Sequence, residues 1–297
     1  MKIYAIVITY NGTHWYDRCL GSLRDSNLPV DIIVIDNAST DGSFDYIKNH
    51  FPEVHLVESK ENLGFAKANN IGIKYALDNG ADYVFLLNQD AWVEKNTLDE
   101  LVKTFEFNNN VGIVSPTHLN GNYSGLDRLF TLYIGPDFAS DAYMKNIQPF
   151  YEVPFVNAAA WLVSRHCIET VGGFDTLLFS HNGEDANYCQ RVRFHQMRIL
   201  ISTCCTICHD RETRKISTNK QEILSDRFLP LEQRIELGDI NLNYDIAGKY
   251  AALKKQGIHK LLRGNISGYQ SKQKEAADMH LISLSRSTNM KTGPSWL

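Results

Sequence analysis

Four groups of acidic and imidazole side chains in this 297-residue sequence are spaced so that they could do chemistry. Asp36 and Asp90 each follow an apolar run, Glu184 and Asp185 are adjacent, and His209 ends a third apolar run. A carboxylate can accept hydrogen bonds from ribose hydroxyls, bind a divalent cation, or take a proton from a reacting hydroxyl. A histidine at a strand end is a further candidate for binding a cation.

Each group also has an ordinary structural explanation. Asp36 could cap a turn or helix at Ser39–Asp41, and Asp90 could be a helix N-cap. Glu184 and Asp185 would interact favourably with the dipole of a helix that begins near them. A lone histidine at a strand end, such as His209, is usually structural. Taken one at a time, these groups do not decide between function and structure.

The elements that would position these groups alternate along the first half of the chain. β-branched apolar runs predict strands, and the amphipathic stretches between them predict helices. The predicted strands are Ile3–Thr9, Asp31–Ile35, Val54–Glu58 and Tyr83–Leu87, and the predicted helices are Trp15–Ser26, Ser43–Asn49, Gly64–Asn79 and Thr97–Phe107. This alternation predicts an α/β protein with a mainly parallel central sheet flanked by helices on both faces.

Polar residues follow three of the four predicted strands. Tyr10-Asn11 follows the first strand, Asp36-Asn37 the second, and Asn88-Gln89-Asp90 the fourth. Ligands of open α/β sheets bind in the crevice outside these carboxyl ends. The sequence has neither a G-x-G-x-x-G nor a G-x-x-x-x-G-K-[ST] motif, so dinucleotide-binding and P-loop interpretations lose their main support.

In the second half, the loop 179–183 leads into a predicted helix at Asn187–Arg193, and Ile199–Ile207 reads as a buried strand. The Cys205-x-x-Cys208-His209 spacing matches haem attachment, and a zinc site from these residues with Cys204 is another alternative. Covalent haem attachment needs an exported chain, and the match lies in the run that reads as a buried strand, so this alternative is weak. The zinc alternative is weak because neighbouring side chains on a strand point to opposite faces. We interpret the six cysteines of the sequence as reduced thiols.

The C-terminal part differs from the rest in charge. Residues 1–210 contain 15 Lys/Arg and 25 Asp/Glu, whereas residues 211–297 contain 15 and 9. Residues 211–245 read as irregular, residues 246–263 as an amphipathic helix, and about the last 15 residues as frayed. The basic side of this helix could dock on an anionic membrane surface: Lys249, Lys254, Lys255, Lys260 and Arg263. Alternatively, its apolar stripe packs on the catalytic domain or a second subunit: Ile246, Tyr250, Leu253, Ile258 and Leu261.

The order of motifs carries more information than any one of them. The chain reads Thr-Tyr-Asn at 9–11, Asp-Asn-Ala-Ser-Thr-Asp-Gly at 36–42, Asn-Leu-Gly-Phe-Ala-Lys-Ala-Asn-Asn at 62–70, Leu-Leu-Asn-Gln-Asp-Ala at 86–91, Gly-Gly-Phe-Asp at 172–175, Glu-Asp at 184–185, and His209. This order closely resembles the family 2 glycosyltransferases, particularly the rhamnosyltransferase-like branch of bacterial surface-polysaccharide enzymes. The resemblance covers about residues 3–210.

The resemblance implies a GT-A fold and an inverting transfer from a dTDP- or UDP-linked sugar to a hydroxyl of a saccharide or lipid-linked acceptor. Matched position by position, it implies a nucleoside pocket lined by Thr9, Tyr10, Asn11 and Asp36, and a nucleotide-sugar groove along Asn62, Gly64, Lys67 and Asn69. It also implies a divalent metal, Mg²⁺ or Mn²⁺, at Asp90 and His209. Asp185 is then the general base, with Glu184 beside it.

One position departs from the family pattern. The D-x-D metal motif reads Asn88-Gln89-Asp90, so its first carboxylate is missing. Two competing interpretations stay open at this point. A sugar-phosphate nucleotidyltransferase would need a basic glycine-rich loop after the first strand, where this chain has no Lys or Arg before Arg18. A catalytically silent sugar-binding scaffold would not need the retained Asp90, Asp185 and His209.

These features predict two regions: a GT-A catalytic domain over 1–210 and a mostly helical extension over 211–297. We expect acceptor contacts from residues 117–161, including Trp161. No stretch resembles a signal h-region or is long and apolar enough to span a bilayer. We therefore expect a cytoplasmic protein, at most peripheral on the inner face of the cell membrane. A homodimer is compatible with the sequence, and nothing in it indicates a nucleic acid partner.

Overall fold

The strands form one nine-stranded sheet, with the two most apolar runs of the N-terminal half near its middle. The computed structural model describes residues 1–179, 182–213 and 228–297. The strands, labelled β1 to β9 in chain order, are Ile3–Thr9, Asp31–Asp36, His55–Glu58, Tyr83–Asn88, Ala91–Val93, Val111–Asn120, Phe150–Glu152, Ala160–Ser164 and Arg198–His209. The sheet order is β3-β2-β1-β4-β8-β6-β9-β5, and β7 also pairs with β9.

The sheet is parallel where the sequence predicts alternating strands and helices, and mixed beyond that point. Strands β1 to β4 are parallel to one another. Strand β8 is antiparallel to both of its neighbours, β4 and β6. Strand β9 is parallel to β6 but antiparallel to β5 and β7. The predicted mainly parallel sheet is therefore confirmed in its first half and extended by antiparallel strands in its second.

Ten α-helices lie in the described parts of the chain, and those of the first 200 residues cover the sheet. They are labelled α1 to α10: Tyr16–Arg24, Ser43–His50, Gly64–Asp78, Thr97–Glu106, Pro136–Tyr143, Arg165–Val171, Glu184–Phe194, Leu231–Gly238, Ile246–Leu262 and Ile266–Asn289. Two clusters of buried apolar side chains form, one centred on Ile6 and Trp161 and the other on Val7 and Leu162. Alternation along β1 and β8 sends successive residues to opposite faces of the sheet, so each face has its own core.

Strand β9 changes partners halfway along its length. Its residues follow β6 up to the pair Pro116 and Ser202, and the register resumes at Thr117 and Thr206, so three residues of β9 bulge out. Proline has no N–H to donate to the ladder, which suits a break in pairing. Before the bulge β9 pairs with β7, and after it β9 pairs with β5. The two parts of β9 on either side of the bulge therefore have different partners on one edge, while β6 pairs with both parts on the other.

Three helices, α8 to α10, follow residues 1–210, and two of them were not expected. Helix α8 lies inside the segment 211–245 that we predicted to be irregular, and residues 214–227 of that segment lie outside the described residues. Helix α10 runs to Asn289, so the prediction of fraying over about the last 15 residues is wrong for its first part. The bounds of α9 agree with the predicted helix to within one residue. The division of the chain at residue 210 stays a prediction.

The final residues are also held in place, contrary to the prediction of a frayed end. The Ser295 carbonyl accepts a 2.8 Å hydrogen bond from the Gly173 amide, and the Trp296 carbonyl accepts one of 3.0 Å from the Asn70 side chain. A Cβ on Gly172 would lie 2.3 Å from the Ser295 carbonyl oxygen. The composition of the tail gave no sign of this contact, because the seat is formed by glycines elsewhere in the chain.

Asp175 fastens α10 to the catalytic body. Its carboxylate is fully buried and accepts hydrogen bonds from the Ser285 hydroxyl at 2.5 Å and the Asn289 amide at 3.0 Å. It also accepts from the backbone N–H groups of Leu177 and Leu178, both at 3.0 Å. A buried charge with four donors is well compensated, but each donor loses its acceptor if the carboxylate is removed. The last residue of the Gly-Gly-Phe-Asp motif therefore has a structural function here.

We predict that Asp175→Ala lowers the free energy of unfolding by about 2–4 kcal/mol, because several buried donors lose their acceptor. Chemical denaturation followed by circular dichroism measures this change, and limited proteolysis tests whether α10 has become accessible. Asp45→Ala, an exposed acid on α2, is the control and should leave both readouts unchanged. Equal stability of the Asp175 and Asp45 variants would contradict the anchoring function.

Candidate active site

Asp90 and His209 meet because of strand pairing. Strand β5 is antiparallel to the end of β9, with Ala91 opposite His209. The backbone N–H of Asp210 donates to the Asp90 carbonyl at 2.8 Å, which extends the pairing by one residue. Asp90 Oδ1 lies 3.5 Å from His209 Nε2, and the two side chains are only 3% and 0% exposed. Two side chains 119 positions apart in sequence thus form one buried polar pair.

A second carboxylate, which sequence reasoning missed, lies on the other side of His209. Asp127 Oδ2 is 3.9 Å from His209 Nδ1 and accepts a 2.7 Å hydrogen bond from Arg211 Nε. Its other oxygen, Oδ1, accepts from the N–H groups of Leu129 and Phe130, both at 2.9 Å, at the start of a short 3₁₀ helix. Asp127 is therefore held by hydrogen bonds from two sides, it fixes the position of Arg211, and its carboxylate lies near the His209 ring.

Glu184 and Asp185 form the first turn of α7, after Gly183 in a left-handed conformation with φ 89°. The Asp185 carboxylate accepts a 2.8 Å hydrogen bond from the Ala186 N–H. Burial raises the pKa of Asp185, while backbone N–H groups of Ala186 and Ala158 and the positive charge of Arg211 act in the opposite direction. Arg211 is therefore close enough to Asp185 to favour its ionised form.

Glu184 is the more strongly perturbed member of the pair. Burial raises the pKa of Glu184 to about 7, and the neighbouring charge of Asp185 adds to the effect. The side chain is buried, and its Oε2 accepts no hydrogen bond from any described residue. At neutral pH this arrangement keeps the Glu184 carboxyl partly protonated.

Tyr133 lies close enough to Asp127, Arg211 and Asp185 for their charges to affect its pKa. Its hydroxyl donates a 2.7 Å hydrogen bond to Asn157 Oδ1. Burial raises the pKa of Tyr133, the charges of Asp127 and Asp185 raise it further, and the positive charge of Arg211 lowers it. One phenol thus senses both the Asp127–Arg211 pair and the carboxylate on α7. The ionisable groups of the site follow one another in space: Asp90, His209, Asp127 and Arg211 are linked by the distances given above, and Asp185 lies within the electrostatic influence of Arg211.

The residues predicted to line a nucleoside pocket lie together at the carboxyl ends of β1 and β2. Thr9 donates to Asp36 Oδ1 at 3.1 Å, and the Ser39 N–H donates to Asp36 Oδ2 at 3.0 Å. The Asn11 side chain accepts from the Thr40 N–H at 2.8 Å. The interpretation of Asp36 as a residue that caps the turn at Ser39 is thus correct, and its carboxylate also accepts a hydrogen bond from Thr9.

Gln89, the middle residue of the Asn-Gln-Asp motif, connects this pocket to Asp90. Its side-chain oxygen accepts a 2.8 Å hydrogen bond from the Tyr10 N–H, and its Nε2 donates to the Tyr10 carbonyl at 3.0 Å. A Cβ on Gly12 would lie 2.6 Å from the same Gln89 oxygen, so glycine is needed for this close approach. Sequence reasoning gave Gln89 no function, although its amide fixes the loop after β1.

The four residues predicted along the nucleotide-sugar groove do not all share one environment. Asn62 Oδ1 accepts from Asn37 Nδ2 at 2.9 Å and from the Gly64 N–H at 3.0 Å, which ties the start of α3 to the end of β2. Lys67 is exposed on α3. Asn69 is buried and donates to the Phe65 carbonyl of its own helix at 2.9 Å. The structure therefore links Asn62 and Gly64 to the pocket and gives Asn69 a helix-internal partner.

Two buried aromatic residues near the site are structural in this arrangement. His118 is fully buried, and its Nε2 is 3.0 Å from the Ser115 hydroxyl. Burial lowers the pKa of His118 well below its usual value, and the nearby His209 and Arg211 act in the same direction, so this ring is neutral. Trp161 is also fully buried and stacks on Phe174. The expectation that Trp161 contacts an acceptor is therefore wrong, because its ring belongs to the core.

The Asp90–His209 pair fits a divalent cation as part of its ligand set. Two ligands on adjacent sites of one octahedral cation lie about 3 Å apart, close to the 3.5 Å between Asp90 Oδ1 and His209 Nε2. Within residues 1–179, 182–213 and 228–297, no group of three or more His, Cys, Asp or Glu side chains is placed to hold a metal ion. Remaining ligands would thus have to be phosphate oxygens and water, as is usual for Mg²⁺.

Comparison with known sequences shows the family. The model of the family described as "Glycosyl transferase family 2" matches residues 4–172, more than half of the chain. The chain belongs to this family. It is 26% identical over 191 residues to the dTDP-rhamnosyl transferase RfbF of Shigella flexneri, which covers 64% of this chain and 62% of that protein. It is also 26% identical over 177 residues to the low-salt glycan biosynthesis hexosyltransferase Agl10 of Haloferax volcanii, covering 57% and 55%.

Comparison with solved structures confirms the GT-A fold. The mannosyltransferase PcManGT of Pyrobaculum calidifontis, in complex with GDP-Man and Mn²⁺, aligns with a TM-score of 0.55 at 16% identity, covering 96% of this chain and 86% of that one. GalNAc-T7 with UDP, GalNAc and Mn²⁺ aligns with a TM-score of 0.64 at 16% identity, covering 93% and 55%. Family and fold together favour glycosyl transfer over the nucleotidyltransferase and scaffold alternatives.

We predict that Glu184→Gln changes stability in a pH-dependent way. Burial raises the pKa of Glu184 from 4.5 to about 7 in the folded protein, so the wild type loses stability as pH rises from about 4.5 to 7 and the carboxyl must ionise while buried. Glutamine stays neutral. The variant should therefore gain up to about 3 kcal/mol over the wild type at pH 8 and almost nothing at pH 4.5.

Thermal unfolding at both pH values measures this difference. Glu169→Gln, at an exposed position of α6, serves as the control and should show no such pH dependence. A stability difference between wild type and Glu184→Gln that is the same at both pH values would contradict a raised pKa at Glu184.

Proposed function

We propose that this chain is an inverting glycosyltransferase that moves a sugar from a dTDP- or UDP-linked donor to a hydroxyl of a saccharide or lipid-linked acceptor. The observation that carries the proposal is the series of ionisable groups from Asp90 through His209, Asp127 and Arg211 to Asp185. An inverting displacement needs one end that stabilises a leaving diphosphate and another that takes the acceptor proton. This series offers both ends within one buried site.

The donor would lie across the carboxyl ends of β1, β2 and β4. In this proposal Asp36, with Thr9, Tyr10 and Asn11, receives the nucleoside, because its buried carboxylate faces the loops after β1 and β2. The groove would continue along the start of α3: Asn62, Gly64, Lys67 and Asn69. Exposed Lys67 offers a positive charge to this groove, and the helix-internal bond of Asn69 makes it a weaker candidate for direct contact.

Asp90 and His209 are the residues that would hold a divalent cation, Mg²⁺ or Mn²⁺. When bound there, such a cation supplies charge neutralisation for the leaving nucleoside diphosphate. Arg211 lies on the same side of Asp127 as His209 and adds a fixed positive charge. In this proposal Arg211 would interact with the diphosphate. It cannot replace the metal ligand that is missing at the first position of the Asn88-Gln89-Asp90 motif, because a guanidinium does not bind a cation.

Asp185 is the proposed general base. Burial raises its pKa, which makes the carboxylate a stronger base, while Arg211 and backbone N–H groups act in the opposite direction and favour the ionised form. Glu184 beside it would stay partly protonated, which reduces the negative charge next to the proposed base. A second neighbouring charge would otherwise compete for the same proton.

The biological setting is proposed from the names of the relatives. Their names refer to rhamnosyl transfer and to glycan synthesis, which supports a role in making a bacterial surface polysaccharide. The proposal includes a cytoplasmic site of action with peripheral contact to the inner face of the cell membrane, where a lipid-linked acceptor would be found. It also includes a catalytic domain over 1–210, an extension over 211–297, and a homodimer as one form of assembly. No helix of the described ranges 1–179, 182–213 and 228–297 is long and apolar enough to cross a bilayer.

We predict that Asp185→Asn lowers the transfer rate at least about 10²–10⁴-fold, the usual loss for a general base, while donor binding changes less than about twofold. Nucleoside diphosphate release with acceptor present measures the rate, and calorimetry measures donor binding. Asp78→Asn, an exposed acid on α3, is the matched control. Near-normal turnover of the Asp185 variant would rule out the proposed base.

We predict that Asp90→Ala weakens metal-dependent donor binding at least about tenfold, since the only carboxylate of its motif is lost. Binding of the metal-free nucleoside, which relies on the Asp36 pocket, should be unchanged. Calorimetry with and without Mn²⁺ separates the two, and Asp25→Ala at an exposed site provides the comparison. If a chelator leaves the wild-type enzyme fully active, the metal function of Asp90 and His209 is wrong.

A further inference from the structure

The end of the hairpin formed by α9 and α10 exposes four large aliphatic side chains. Ile258, Leu261, Leu262 and Ile266 are 55%, 45%, 80% and 60% exposed. Only residues 263–265 connect the two helices. Gly264 adopts φ 71°, and the Asn265 side chain caps α10 by accepting from the Gly268 N–H at 2.8 Å. We call these four side chains the hairpin tip, and the short capped turn holds them in one place.

The rest of the predicted apolar stripe is already used for packing. Ile246, Tyr250 and Leu253 contact a buried cluster that includes Met279 and Ile282 of α10. The stripe predicted from the sequence therefore divides into a buried N-terminal half and an exposed C-terminal end. Core packing explains the first half. It gives no reason for the hairpin tip, because contiguous exposed aliphatic side chains mark an interaction surface rather than a satisfied core.

The hairpin around the tip carries charge of one sign. Residues 246–274 contain seven Lys or Arg and no Asp or Glu. Two of the lysines have partners within the hairpin: Lys254 donates to Gln273 Oε1 at 2.6 Å, and Lys272 pairs with Glu275. Lys255, Lys260 and Arg263, which are close to the tip in sequence, form no ion pair with any described residue. They are therefore available to an anionic partner.

We propose that the hairpin tip docks on an anionic membrane surface. The four aliphatic side chains would enter the boundary between headgroups and acyl chains, while Lys255, Lys260 and Arg263 would contact lipid phosphates. This combination is not matched by a second copy of the chain, since two-fold pairing would bring identical positive surfaces together. Nucleic acid would match the charge but not the exposed aliphatic side chains. The proposal concerns binding alone and does not rest on the transfer reaction.

The test uses the full chain and vesicles of two compositions, phosphatidylcholine alone and phosphatidylcholine with an equal part of phosphatidylglycerol. Flotation should show binding to the second composition only. The triple variant Lys255→Gln, Lys260→Gln, Arg263→Gln should bind roughly 100-fold more weakly. The variant Ile258→Ser, Leu262→Ser, Ile266→Ser should lose at least about tenfold in binding. High salt should reduce binding of the wild type as the charge variant does.

Two matched controls separate the hairpin from general surface effects. Lys48→Gln, Lys95→Gln, Lys291→Gln removes the same charge from exposed positions elsewhere. Tyr143→Ser, Met144→Ser removes two apolar side chains at the C-terminal end of α5 that are 87% and 68% exposed. Both controls should bind vesicles like the wild type. Circular dichroism spectra of all variants should overlay, because every substituted side chain of the hairpin variants lies at the surface or at its edge.

Transfer to a soluble acceptor should be unchanged in the hairpin variants, so failure of this proposal and failure of the proposed reaction are distinguishable. Binding of the hairpin variants equal to that of the wild type would overturn the proposal, as would wild-type protein that ignores anionic vesicles. Sedimentation velocity tests the remaining alternative, in which a second copy of the chain binds the hairpin tip. If the aliphatic variant converts a dimer to a monomer while vesicle binding stays at the wild-type level, the tip is an interface between copies.

Discussion

The antiparallel pairing of β5 with the end of β9 is the constraint on which the site depends. Three residues of β5 suffice to put Ala91 opposite His209, and the residue before Ala91 is Asp90. A shift of this register by one residue would turn His209 to the other face of the sheet. The bulge between Ser202 and Thr206 separates the part of β9 that pairs with β7 from the part that pairs with β5, while β6 stays the neighbour of β9 on its other edge.

Electrostatics then organises what the strands bring together. Three carboxylates and a histidine, all largely removed from water, would repel or neutralise one another without a fixed cation. Arg211 is that cation, held by Asp127 and close to Asp185. It favours the ionised form of Asp185, while desolvation holds Glu184 near its protonated form. Two adjacent carboxyl groups on one helical turn thus acquire different protonation behaviour from their surroundings.

The parts of this arrangement that the sequence predicted are those encoded locally or in motif order. Runs such as Ile3–Thr9 are β-branched and uninterrupted, and the strand ends where the polar residues begin. Helix α10 escaped prediction because its buried face includes Asp278, Ser285 and Asn289, whose burial is satisfied by hydrogen bonds to distant residues and hides the apolar period.

The site residues that the sequence did not predict were missed for a similar reason. Asp127 and Tyr133 lie in a stretch with little pattern, and only the sheet topology brings them to His209. Arg211 did have a signal, since a cation two residues after a candidate metal-binding histidine is a natural phosphate contact. Gln89 could have been found in the same way, as the amide between two motif residues. Pairwise placement of the remaining groups needed the structure.

The way residues 285–297 complete the fold sets an order of events during synthesis. Asp175 lies ten residues before Asp185, and its carboxylate gains two of its four donors only from Ser285 and Asn289. The close contact of Gly172 and Gly173 with the Ser295 backbone likewise forms only after Ser295 has been synthesised. On the ribosome, residues 1–210 would emerge with only two of the four donors to Asp175 in place, those of Leu177 and Leu178. The hydrogen bonds of Asp175 are therefore completed only after a segment more than a hundred residues later in the sequence has been synthesised.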